Sequence, residues 1–118
     1  MKIIYRKDME EISLPGRVIQ KAVGKDSAIP SEKMTVGFAS YSAKSGPMEP
    51  HHHAEETCVV LDAVKGWVKF GPSKDRLPEK YPLEKGTVLH FDEMEWHVFE
   101  YEQGGHVDII FIYGQVTN

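Results

Sequence analysis

Three consecutive histidines, His51, His52 and His53, are followed within three residues by two carboxylates, Glu55 and Glu56. Neutral imidazole and carboxylate are donors through which proteins hold Zn, Fe, Mn and Ni, and a His-x-His pair on an extended strand carries both rings on one face. His51 and His53 satisfy that alternation, and Glu55 continues its phase. Taken alone, the run could also be a polar turn after Gly46-Pro47 that merely tolerates histidine. Downstream, His97 stands behind Trp96, eleven positions after Gly86. The two other histidines read differently. His90, inside residues 87–91 (TVLHF), is expected to be a hydrogen-bonded structural histidine or a partner at a cavity wall, and His106, beside Gly104-Gly105, a solvated loop residue. The single cysteine, Cys58, has the parity of Glu56 and suits a small buried hydrophobe. No nucleophile elbow, phosphate-cradling glycine loop or zinc-ribbon cysteine pair occurs in the sequence.

Strands must position these groups, because no window of a dozen residues repeats apolar positions at helical spacing without a Gly or Pro. Strand-like runs recur between turn clusters at 34–41 (MTVGFASY), 57–61 (TCVVL), 66–70 (GWVKF), 87–91, 97–101 (HVFEY) and 107–113 (VDIIFIY). Short strands at this spacing predict an all-β, antiparallel barrel of at least eight strands, with no helix longer than about two turns. Residues 97–101 and 107–113, separated by Gln103-Gly104-Gly105, are expected to form a hairpin. Residues 1–30 read as a looser N-terminal arm or edge strand, with a short turn at 8–12 and Pro15-Gly16 within it.

The chain's 118 residues suit a single domain spanning 1–118. Its 14 basic and 18 acidic residues give a net charge of -4 with no basic block, which argues against nucleic acid or an anionic membrane and for a small-molecule partner. The N-terminus lacks the apolar run of a signal peptide, and the unpaired cysteine points to a cytoplasmic protein. The longest apolar stretch, at 109–113, is far short of the roughly 20 residues that span a bilayer. The mostly uncharged residues 29–43 could offer a sheet edge to a second copy, and the arm at 14–17 could reach across, so a homodimer is expected.

With these residues in view, the sequence resembles the cupin superfamily of small β-barrels over about two thirds of its length, from Met34 to Tyr113. The family's first motif runs Gly, His-x-His, Glu, Gly and lies here within 46–66; its second runs Gly, Pro-x-Gly, His and lies here in 86–97. Asp92 stands in place of the second motif's Pro and Met94 in place of its Gly. The run from Glu56 to Leu61 resembles the family's Glu-x-x-x-Val-Leu strand, which makes Glu56 the metal-binding carboxylate. Counting forward from Gly46 selects His52 as the first histidine ligand, whereas the requirement for two same-face imidazoles selects His51 and His53, with Glu55 as the alternative carboxylate. The resemblance implies a jelly-roll barrel holding one divalent transition metal (Fe, Mn, Zn or Ni) on His51, His53, Glu56 and His97. Cupins include dioxygenases, isomerases, decarboxylases, lyases and sugar-binding domains. The expected function is therefore a metal-dependent enzyme acting on a small oxygenated metabolite, the alternative being a non-catalytic small-molecule binding or sensing domain. An enzyme would need a titratable group beside the metal that is not a ligand, such as His90, Tyr101 or Glu55.

Overall fold

The computed structural model describes residues 1–52 and 54–114, and nearly all of its regular structure is antiparallel β-sheet. The strands are β1 (Ile12–Leu14), β2 (Arg17–Val23), β3 (Met34–Ser42), β4 (Glu56–Gly71), β5 (Glu79–Pro82), β6 (Val88–Phe91) and β7 (Trp96–Gly114). The helical elements among the described residues are two single 3-10 turns, Arg6–Asp8 and Ala43–Ser45. The hydrogen-bonded order is β1-β2-β3-β7-β4-β5, with β6 pairing the first residues of β4.

Alternation of side chains builds the interior. Ile19, Ala39, Ile109 and Val60 lie in one cross-strand row through the pairs Ile19↔Ala39, Ala39↔Ile109 and Val60↔Ile109, and all four are buried. Burying each large aliphatic side chain contributes about 1.5–3 kcal/mol. The residues between them, such as Gln20 and Phe38, face outward.

The described residues form seven named strands rather than at least eight, because two pairs of expected strands are fused. Residues 57–61 and 66–70 are the two halves of the 16-residue β4, and 97–101 and 107–113 are the two halves of the 19-residue β7. The second pair is therefore not a hairpin: both halves of β7 pair with β4, from Glu56↔Tyr113 to Gly71↔Trp96. The turn-forming residues act as bulges, with register shifts between Val60/Asp62 and Val64/Gly66 and positive φ at Lys65 (51°) and Gly104 (82°). A bulge adds residues to one strand without ending the ladder and sharpens its bend. Gly105 is required at this bend, since a Cβ there would lie 2.4 Å from the Val64 carbonyl oxygen.

The N-terminal segment is woven into the sheet. Leu14↔Arg17 closes a two-residue hairpin loop at Pro15-Gly16, where φ of +85° at Gly16 suits the glycine position of a type II turn. The Gly16 N–H donates to the Ser45 carbonyl at 2.9 Å, so the loop expected to reach across a dimer folds onto its own chain. Likewise β3, within the stretch expected to offer an edge, is paired on both sides by β2 and β7. Arg6 anchors the first residues from outside: its guanidinium donates twice to Asp108, at 3.0 and 2.9 Å, and lies 4.3 Å over the Phe38 ring. Desolvation is the largest influence on Asp108 and favours its neutral form, but the bonds from Arg6 and Ser40 together outweigh it and hold the carboxyl below its ordinary value. A depressed carboxylate stabilises the fold above its unfolded pKa of about 3.9, and that stability is lost as pH falls through the folded value. Arg6→Ala should thus cost about 1–2 kcal/mol at pH 7, a figure reduced for partial exposure. Urea titrations at pH 7 and pH 3 should find the gap from the parent protein narrowing in acid; an equal gap at both would contradict this account.

No helix among the described residues is long and apolar enough to cross a membrane.

Candidate functional site

The first histidine of the triple run is tied to the start of β7. The His51 N–H donates to the His97 carbonyl at 3.0 Å and the His97 N–H donates to the His51 carbonyl at 2.9 Å, a pairing that places the two rings 4.4 Å apart, edge to face. His97 is 2% exposed. Its ring stacks on Phe91 at 3.8 Å and 14° and meets Phe99 edge-on at 6.5 Å. The His97 Nδ1 lies 3.0 Å from the Glu95 carbonyl oxygen, which can only accept, so Nδ1 carries a proton and Nε2 is the nitrogen that bears the lone pair whenever the ring is neutral. That nitrogen is 3.6 Å from Glu56 Oε1.

Glu56 opens β4 between Phe91 of β6 and Tyr113 of β7, and the strand's alternation turns it inward with Cys58 and Val60. Burial pushes its carboxyl up to about 7, while a hydrogen bond from the Cys58 thiol and the positive charge of Arg17 act in the opposite direction. Cys58 is fully buried, and burial followed by the charge of Glu56 keeps it a thiol.

With Asp92 and Met94 in place of Pro and Gly, the turn before His97 is expected to differ in shape from the family's, yet the glycine position keeps a glycine-like backbone. Met94 adopts φ of 66°, the left-handed conformation for which glycine is favoured, and the Glu95 N–H donates to the Asp92 carbonyl at 3.1 Å. This turn delivers the Glu95 carbonyl that orients His97.

The alternative ligands point elsewhere. The His52 ring packs on Trp96 with centroids 4.1 Å apart. Glu55 reaches outward to His90, with Oε2 2.7 Å from Nε2, while His90 Nδ1 meets the Thr57 hydroxyl at 2.9 Å. His90 is therefore a bonded structural histidine on the outer face. His106 is in strand β7 rather than a loop, 2.8 Å from Asp62. His53 lies outside the described residues. Among those described, no group of three or more His, Cys, Asp or Glu side chains converges tightly enough to hold a metal ion. What converges is a buried carboxylate, a lone-pair nitrogen aimed at it, and the neighbouring His51 ring, a donor set of the kind that first-row divalent metals take. A histidine whose other ring nitrogen donates to a backbone carbonyl is the orientation expected of a metal ligand, so the residues present fit the group.

Two further residues face the same interior and were not singled out from the sequence. Arg17 shares the inward face of β2 with Ile19, and Tyr41, 4% exposed, stacks on Phe99 with centroids 4.8 Å apart. The available signal was the phase of Arg17 with Ile19, hidden by reading Pro15-Gly16 as part of a loose arm.

The arrangement of antiparallel strands in this chain is the cupin fold. Solved structures of the same fold include the polyketide cyclase RemF from Streptomyces resistomycificus, with a TM-score of 0.74 at 18% identity over 98% of this chain and 80% of that one. Ectoine synthase from P. lautus superimposes with a TM-score of 0.75 at 10% identity over 100% of this chain and 80% of that one. Hydroxypropylphosphonic acid epoxidase from S. wedmorenis gives 0.69 at 18% identity over 95% of this chain, which spans only 58% of the epoxidase. No family model matches the sequence, and no curated protein matches it.

Proposed function

We propose that the chain is a cupin enzyme that holds one divalent transition metal on His51, His53, Glu56 and His97 and acts on a small oxygenated metabolite. The observation that carries this reading is the His97 ring, fixed by the Glu95 carbonyl so that its Nε2 lone pair faces the buried Glu56 carboxylate at 3.6 Å. Structural neighbours with a cyclase, an epoxidase, a synthase and a lyase among them support an enzyme, and one epoxidase structure is of an Fe(II) form. A divalent ion at these residues would supply Lewis acidity and open positions for substrate oxygens. The chain's own residues do the rest: the Glu95 carbonyl orients the His97 ring, and Phe91 and Phe99 keep water from the histidine.

Elemental analysis of protein prepared without affinity resin tests the reading. About one divalent ion per chain should survive dialysis, and His53→Ala should lower that content sharply while His52→Ala leaves it unchanged. A parent protein that neither retains metal nor takes up Fe(II), Mn, Zn or Ni in calorimetry would refute it.

A further inference from the structure

Two hydrogen-bond donors on the inner wall of the barrel lack an acceptor from the described chain. Arg17 opens β2 in phase with Ile19, whose cross-strand row through Ala39, Ile109 and Val60 is the core, so its side chain is directed to the interior. The intervening Gln20 confirms the phase, since its amide bonds to the Arg6 backbone on the outer face. The antiparallel register Val18↔Ser40 continues to set Arg17 beside Tyr41. Among the described residues, neither the half-buried Arg17 guanidinium nor the buried Tyr41 hydroxyl makes a hydrogen bond or ion pair.

Both groups are committed donors. A guanidinium offers five N–H groups in a planar fork and does not lose its charge. Burial, with the nearby Cys58 and Glu56, pushes the Tyr41 phenol well above its ordinary pKa against the opposing charge of Arg17, so it stays protonated. Arg17 also acts electrostatically on Glu56 of the histidine site. A cationic fork and a phenol side by side, with no acceptor of their own, suit a planar oxyanion that takes two N–H bonds and one O–H bond.

We propose that Arg17 and Tyr41 bind the carboxylate of a small organic acid inside the barrel, making a carboxylate the substrate class; this rests on reading the barrel interior as the substrate site.

The test is calorimetric titration of the full chain, as purified and again after chelation, with two- to eight-carbon hydroxy and oxo acids, their primary amides and phosphate esters of similar size. At least one acid should bind about tenfold or more tightly than its amide. Arg17→Met should weaken that acid about tenfold or more, Arg17→Lys less, and Tyr41→Phe, which keeps the ring on Phe99, about threefold. Unchanged melting temperatures for Tyr41→Phe and Arg17→Lys would separate binding from folding. The proposal is overturned if no acid surpasses its amide, if Arg17→Met binds the acids as well as the parent does, or if a phosphate ester binds more tightly than every acid. Metal content measured on the same samples keeps the two readings apart: acids that bind through Arg17 in a chain with no metal affinity would sink the metal site alone.

Discussion

Alanine at His97 is expected to leave the chain with almost no retained divalent metal, an affinity loss of more than about 100-fold relative to the parent protein. His97 is the group on which the proposed site turns: its backbone pairs with His51, its Nδ1 is fixed by Glu95 and its Nε2 faces Glu56 at 3.6 Å. Removing the ring would take away the nitrogen that faces the buried carboxylate at 3.6 Å. His52→Ala and His106→Ala should keep their metal, because one ring packs on Trp96 and the other bonds Asp62 on the outer face. The measurement is metal per chain after dialysis, with far-ultraviolet circular dichroism to confirm that the sheet is intact. Loss at His52 with retention at His51 would move the ligand set by one residue, and full retention at His97→Ala would remove the site altogether.

Phe99→Ala should destabilise the protein by about 3–5 kcal/mol, the range for truncating a buried aromatic. The residue is 2% exposed, its ring meets Tyr41, Phe91 and His97, and its N–H points to the Met48 sulfur at 3.4 Å. The cavity would open where both walls of the barrel meet, so relaxation of one strand cannot refill it. Against a total stability of about 5–15 kcal/mol this is a large fraction. Urea unfolding should show a markedly lower midpoint, whereas Phe38→Ala, on the outer face beneath Arg6, should cost much less. Comparable losses for the two would mean that the inward and outward faces of the sheet are misassigned.

Strand content was legible because its signal is local: β-branched and aromatic residues alternating between turn residues. The fusion of four expected strands into β4 and β7 was not, since a pair such as Gly104-Gly105 serves a hairpin loop and a bulge equally well, and only the partner strand decides which forms. The same limit acted on the site. The spacing from Gly46 favoured His52 and the same-face requirement favoured His51 with His53; in the fold the His51 ring meets His97 and the His52 ring packs on Trp96, neither of which a count along the chain could give. The choice between Glu55 and Glu56 depended on register with β6 and β7, which turns Glu56 inward between Phe91 and Tyr113 and sends Glu55 out to His90. Arg17 escaped notice because its relevance comes from Tyr41, a residue far from it in sequence and beside it in the sheet.

The position of β7 bears on how the protein is made. It is last in the chain among the described strands, yet it lies in the middle of the sheet between β3 and β4. On the ribosome, the β2–β3 pair and the β4–β5–β6 group would therefore emerge with open edges and no strand between them. Closure must wait for residues 96–114, which join the two groups and bring His97 to Glu56 in one event. Until then the nascent chain exposes unpaired strand edges of the kind that chaperones protect, and it acquires its internal site only once β7 has been made.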